Sequence, residues 1–225
     1  MNEMDNIYRN EADLYDVLVS HEDYQHNLFE FLNSNIDFVD KTICEFGVGT
    51  GRVTKTYIDK VKSADLFDRS KKMLEQSKYN LANKMNKITL KEFDNRNLDR
   101  IERNYDISIE GWSFGHLISE NSDNVEYWST RIIDELKRIS SKIVLIETLG
   151  TNVEKPFPPN QSLSTFYNLL KENGFNEYII NTDYKFESIE QAEYILGSFF
   201  GKEMKEDIRK GKKSIVKEFT GIWIL

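Results

Sequence analysis

The sequence predicts an α/β fold, a mostly parallel sheet with helices on both faces. Three observations predict it. From Thr42 onward, short apolar runs alternate with stretches of helical apolar spacing, the pattern of strand-helix-strand units. The first run leads into EFGVGTGR, Glu45 to Arg52, with three glycines at alternate positions. The next two runs, SADLFD and ITLKEFD, end in Asp68 and Asp94, and right-handed crossovers bring the carboxyl ends of parallel strands to one sheet edge.

The elements follow in order. Leu14, Val17 and Leu18 on one face, and Leu28, Phe29 and Leu32 on another, predict two helices before the core. Tyr15, Asp16, His21 and Tyr24 give this prelude groups that either close over a ligand or pack as an amphipathic helix. Strand Thr42 to Phe46 enters the glycine turn, and a helix over Val53 to Val61 leads to the strand ending at Asp68. A helix carrying Lys72, Met73 and Leu74 precedes the third strand, and the fourth runs from Tyr105 towards Trp112, with His116 just beyond. Val125, Trp128, Ile132, Ile133 and Leu136 predict a helix over Asn124 to Ile139. Lys142 to Glu147 reads as a buried central strand because it is apolar almost throughout. A helix over Leu163 to Asn173 stops at Gly174, which suits a left-handed cap. Strands Glu177 to Tyr184 and Ser214 to Leu225 complete the sheet. Between them Ser188 to Gly211, helical at Ile189 to Phe200, is long enough to cover a substrate. The three prolines, Pro156, Pro158 and Pro159, lie in one loop, whose restricted backbone suits a pocket wall. No repeat or linker divides the chain, so 225 residues read as one domain: a cap over 1–40, a core over 41–150 and a substrate-side half over 151–225.

Composition narrows the function. A net charge of -8 disfavours nucleic acid, whose nonspecific binding needs clustered Lys and Arg. The lysine-rich segment Lys202 to Lys217 also holds Glu203, Glu206 and Asp207, as a solvated helix face does. Cys44 is the only cysteine, which rules out an intrachain disulfide and a multi-cysteine zinc site. His21, His26 and His116 do not make a metal site. The opening MNEMDNIYRNEAD lacks the charge pattern and apolar stretch of an export signal, and no window reaches membrane-span length. A cytoplasmic protein acting on a small molecule, as monomer or homodimer, is expected.

The glycine turn carries the chemistry. Gly47, Gly49 and Gly51 permit positive φ and close approach to the main chain, while free amides at a helix start attract anions. A nicotinamide fingerprint needs its third glycine where Arg52 stands, so a nicotinamide oxidoreductase is disfavoured. A P-loop needs a Gly-Lys-Ser/Thr ending that is absent. Asp68 can accept both hydroxyls of a ribose, or it and Ser70 can cap the next helix. Asp94, followed by Asn95, can accept from an adenine amine.

Together EFGVGTGR, DRSKKML (Asp68 to Leu74), FDNRNL (Phe93 to Leu98) and YDISIEGW (Tyr105 to Trp112) resemble the class I S-adenosylmethionine-dependent methyltransferases. The resemblance spans about Ile43 to Glu147. ETLGT (Glu147 to Thr151), PFPP (Pro156 to Pro159), TDYKFES (Thr182 to Ser188) and FTGIW (Phe219 to Trp223) are similar to a group of bacterial methyltransferases. The resemblance implies a Rossmann-like, seven-stranded sheet of order 3-2-1-4-5-7-6 with the seventh strand antiparallel, and an N-terminal helical lid. It implies S-adenosylmethionine as cofactor, S-adenosylhomocysteine as product and a small-molecule methyl acceptor. Tyr15, Glu45, Gly47, Gly49, Gly51, Arg52, Asp68, Arg69, Met73, Asp94, Asn95, Glu110, Gly111 and Trp112 are the expected cofactor contacts. His116 is the candidate base, since its ordinary pKa suits proton removal near neutrality. Trp112, Phe114, Tyr184 and Trp223 are candidate aromatic walls or core residues, and Glu147 either meets a cationic acceptor or ends its strand on nearby amides. A noncatalytic cofactor-binding sensor is the alternative.

Overall fold

The computed structural model describes residues 12–225, and the start of the expected cap, 1–11, lies outside the described residues. The strands are β1 (Thr42–Phe46), β2 (Ser63–Asp68), β3 (Ile88–Glu92), β4 (Tyr105–Gly111), β5 (Ser140–Thr151), β6 (Asn176–Asn181), β7 (Tyr184–Lys185), β8 (Ile215–Val216) and β9 (Glu218–Ile224). The helices are α1 (Ala12–His21), α2 (Asn27–Asn35), α3 (Thr54–Tyr57), α4 (Lys71–Asn80), α5 (Phe114–Glu120), α6 (Val125–Ile139), α7 (Gln161–Glu172) and α8 (Ile189–Gly211). Seven strands form the main sheet in the order β3-β2-β1-β4-β5-β9-β6. All pairs from β3 to β5 are parallel, and β9 runs antiparallel to both β5 and β6. With β9 as the seventh strand, this is the expected Rossmann-like topology.

Burial on both faces explains why the central strands are apolar throughout. On one face α5, α6 and α7 cover Phe46, Leu145 and Trp223. On the other, α2 and the turns around α3 cover Ile43, Ile109 and Ile146. Apolar spacing along α6 places Ile132, Ile133, Leu136 and Ile139 in the first layer. A third cluster joins Leu18 of α1 to Tyr184, Phe186, Ile195 and Phe199, so the cap, β7 and α8 pack as a unit beside the sheet edge. Among the described residues no helix is long and apolar enough to cross a membrane.

Register sets the site. Phe46 pairs with Phe67 and with Glu110, and Asp68 pairs with Glu92, so the loops after β1, β2, β3 and β4 open at one edge.

Four elements differ from expectation. The fifth strand runs past its expected end at Glu147 to Thr151, with a register shift against β9 between Thr148 and Thr151. The helix expected over Val53 to Val61 is only α3; the β-branched Val53, Thr54, Thr56 and Ile58 disfavour a longer helix, although Val53, Ile58 and Val61 stay buried. Each of the last two expected strands divides. The Asp183 carboxylate accepts from the Glu218 amide at 3.0 Å, taking the place of a ladder carbonyl, and the chain beyond leaves the main sheet as the two-stranded ribbon β7-β8. That ribbon carries α8, which breaks at Gly201 (φ 85, ψ -172) and folds back. Arg209 then reaches Glu193 at 2.7 Å, and the acids of the lysine-rich half pair with its own cations, Glu206 with Lys202 and Lys210.

Candidate functional site

At the shared edge lies a cavity of about 310 Å³, near the lower bound of roughly 300–1,000 Å³ for small-molecule clefts. Its walls come from α1, the glycine loop, the ends of β2, β3 and β4, and α5. Of the expected cofactor contacts, Tyr15, Gly47, Gly49, Asp68, Arg69, Met73, Asp94, Asn95, Gly111 and Trp112 line it, as does His116.

The loop is shaped by its neighbours. Gly47, Gly49 and Gly51 all have positive φ. A Cβ on Gly47 would lie 2.2 Å from Ser113 Cβ, so β1 and β4 approach here only through glycine; on Gly49 it would meet Tyr15 Cε1 at 3.5 Å, an ordinary contact. Asp68 fastens the loop: its carboxylate accepts from the Gly49 amide at 2.9 Å and from the Ser70 amide at 2.8 Å. Burial raises its pKa. Ser70 caps α4 by accepting from the Met73 amide at 3.4 Å, so capping falls to Ser70 and Asp68 is turned to the loop.

Beyond β3, Asp94 accepts from the Arg96 amide at 2.9 Å, and the Arg96 side chain holds its pKa below the usual carboxylate range. Asn95 donates to Ser113 Oγ at 2.6 Å. Trp112 adopts φ 52, uncommon for a bulky side chain and of the kind that clusters at functional sites. Its amide is held by the Ile146 carbonyl at 2.8 Å.

Four expected contacts do not line the cavity, each because a protein partner claims it. Glu45 is buried and accepts from Thr54 Oγ1 at 2.7 Å and Tyr57 OH at 2.5 Å; burial pushes its pKa up to about 7. Its role is to anchor the turn behind the glycine loop. A Cβ on Gly51 would meet Leu81 Cδ1 at 2.9 Å, so this glycine serves packing between layers. Arg52 turns to the cap, forming a bidentate pair with Glu22 at 2.7 and 2.8 Å while its guanidinium lies 4.0 Å from the Trp112 ring centroid. Glu110 points inward, accepting from the amides of Ser113 and Phe114 at the start of α5. Burial, then Glu147, raises its pKa well above normal. Glu147 accepts from the Gly115 amide and burial raises its pKa; it bonds a nearby amide as expected, but from inside β5, which runs on to Thr151 and does not end at Glu147.

Among the candidate walls only Trp112 lines the cavity; Phe114, Tyr184 and Trp223 are buried in the apolar clusters. The proline loop does not line it either. Ser70, Phe93, Arg96, Ser113, Leu117 and Glu120 do and were not anticipated. His116, Leu117 and Glu120 share one face of α5, and their helical spacing is the signal that would have found them. Phe93, Arg96 and Ser113 adjoin expected residues, and no residue type marks them out.

A glycine loop, an acid-ended second strand and this strand order define a Rossmann-like, class I methyltransferase. The chain belongs to the family of AdoMet dependent proline di-methyltransferases, whose model matches residues 12–171. It is a methyltransferase, and S-adenosylmethionine is its cofactor, leaving as S-adenosylhomocysteine. An uncharacterized methyltransferase of Anoxybacillus flavithermus is 28% identical over 154 residues, 66% of this chain and 68% of that protein. The YcgJ protein of Bacillus subtilis superposes with a TM-score of 0.59 at 12% identity, over 89% of this chain and 97% of that one. Magnesium protoporphyrin IX methyltransferase of Synechocystis, solved with bound SAM, gives 0.55 at 14% identity, over 99% and 97%. At such identities the likeness is one of fold.

The residues present fit this cofactor. Main chain is exposed at Gly47 and Gly49, a carboxylate stands at Asp68, aromatic rings at Phe93 and Trp112, and the space is concave and partly apolar.

Proposed function

We propose that the chain transfers a methyl group to a small-molecule acceptor by in-line displacement, with the cofactor in the cavity above β1, β2 and β4. The convergence of the glycine loop, Asp68, Asp94 and Trp112 on one cavity carries this reading. When bound, the cofactor supplies an activated methyl on a sulfonium. Asp68 holds the ribose hydroxyls with the carboxylate that now fastens Gly49, and Asp94 with Asn95 meets the adenine. Gly47, Gly49, Gly111 and Trp112 enclose the methionine half. Tyr15 closes over the glycine loop from α1. Orientation alone is worth roughly 7–11 kcal/mol of barrier when both reactants sit in attack geometry. The family's description as proline di-methyltransferases favours a nitrogen acceptor, which must lose its proton before attack. His116, on the cavity face of α5, is the base.

Calorimetry with S-adenosylmethionine, alongside methyl transfer from labelled donor to a panel of small amines that includes proline, tests the reading. Asp68→Ala should weaken cofactor binding at least tenfold, about 1.4 kcal/mol. His116→Gln should leave binding unchanged and lower kcat roughly 100-fold, the lower end for general-base catalysis. Folded wild-type protein that binds no cofactor rejects the proposal. Binding without methylated product on any acceptor supports the sensor alternative.

A further inference from the structure

Arg52 poses a problem of charge. It follows the last glycine of the loop, its side chain is only 17% exposed, and its guanidinium lies against Trp112, a wall of the cofactor cavity. S-adenosylmethionine brings a positive sulfonium to that cavity, and like charges in a poorly solvated place repel strongly. Glu22, whose side chain is 5% exposed, opposes the arginine through two parallel hydrogen bonds, the strongest geometry for a guanidinium-carboxylate pair. It comes from the loop after α1, on the cap, which is stitched to the substrate-side edge where the Asp23 amide donates to the Thr182 carbonyl at 3.1 Å. Other ionisable groups share the field. Tyr15 senses Arg52, Glu22, Asp68 and Asp16; Tyr184 and Glu218 sense both Glu22 and Arg52.

We infer that Glu22 is a specificity-determining residue for the cofactor: by neutralising Arg52 beside Trp112 it lets the cavity favour the sulfonium donor over the neutral thioether product. The inference rests on the reading that the methionine half lies between the glycine loop and Trp112. S-adenosylmethionine and S-adenosylhomocysteine share carboxylate, ammonium and nucleoside and differ by a methyl group and one positive charge. Their affinity ratio therefore isolates the field at sulfur from everything else the site does.

The experiment is calorimetric titration of the full chain with each of the two molecules. Glu22→Gln keeps the shape and one acceptor oxygen but unmasks Arg52; it should weaken S-adenosylmethionine about fivefold more than S-adenosylhomocysteine, the scale of one partly screened charge. Glu22→Asp, which keeps the charge, should hold the wild-type ratio. Arg52→Gln leaves Glu22 unopposed and should move the ratio the other way, an arm that stands even where Glu22→Gln does not fold. The double variant should return the ratio to the wild-type value. Equal weakening of both molecules by Glu22→Gln, or an Arg52→Gln ratio unchanged from wild type, overturns the inference. Wild-type protein that binds neither molecule faults the cavity assignment instead.

Discussion

The mouth of the cavity and the interior behind it hold charge in opposite ways. At the mouth, Asp94 faces Arg96 and Arg69 faces Glu120, with solvent reaching all four. Behind the glycine loop and the start of α5, Glu45, Glu110 and Glu147 lie in the interior, and burial raises the pKa of each. Pairing with Arg96 favours the ionised form of Asp94; the interior drives its acids towards the neutral form. The difference teaches a division of labour. The paired acids at the mouth stand in solvent, whereas the interior acids brace the elements behind the cavity: Glu110 and Glu147 accept from backbone amides at the start of α5, and Glu45 accepts from the Thr54 and Tyr57 hydroxyls in the turn behind the glycine loop.

The side towards the interior should therefore be the intolerant one, and the largest effect should come from Gly47. An alanine there combines φ +70 with a Cβ 2.2 Å from Ser113 Cβ. Positive φ and overpacking together cost roughly 3 kcal/mol or more. Gly49→Ala has φ +53 but meets only the Tyr15 ring at 3.5 Å, so backbone strain of about 1 kcal/mol is the whole penalty. Denaturant midpoints of the two variants should separate accordingly. Equal losses would mean that Ser113 moves aside and the β1-β4 approach is not tight.

The same division explains what could be read from the sequence. The alternation of strands and helices followed from periodicity, and the glycine turn with acids after the next two strands marked the shared edge, because backbone geometry dictates those residue types locally; the strand order and most of the cavity lining followed from the resemblance to class I methyltransferases. Most of the expected contacts that do not line the cavity are charged residues turned to protein partners. Glu45, Arg52 and Glu110 sit at the ligand-binding edge, but whether a side chain turns to a ligand or to Tyr57, Glu22 or the Phe114 amide depends on groups distant in sequence. The split of the last strands was hidden for a related reason: Asp183 substitutes for a ladder carbonyl, and nothing in strand propensity signals that.

Opposite charge states give opposite pH dependence. A carboxyl whose folded pKa is raised stabilises fully below its unfolded pKa and loses that contribution as pH rises through its folded value. For Glu147, raised by burial beside the equally buried Glu110, the loss sets in above about pH 4.5, the ordinary carboxyl range, and belongs to the pair of acids together. Asp94, with its pKa lowered by Arg96, contributes above its unfolded pKa and loses that contribution in acid. Unfolding midpoints measured from pH 4.5 to 8 should decline, and Glu147→Gln should flatten the decline, because the amide can still accept from Gly115 and carries no charge to bury. A Glu147→Gln curve parallel to wild type would place the titration elsewhere, with Glu45 next in line.

The smallest effect should come from the mouth. Arg69 and Glu120 approach to 2.8 Å with side chains 43% and 39% exposed, and exposed pairs contribute about 0–1 kcal/mol. A double-mutant cycle with Arg69→Ala and Glu120→Ala should give a coupling below about 1 kcal/mol. Raising salt to about 1 M, where the screening length is near 3 Å, should reduce it further. A coupling of about 2 kcal/mol or more, insensitive to salt, would show a mouth as rigidly held as the interior. The contrast between mouth and interior would then be one of solvent exposure alone, without a difference in how tightly the charged groups are held.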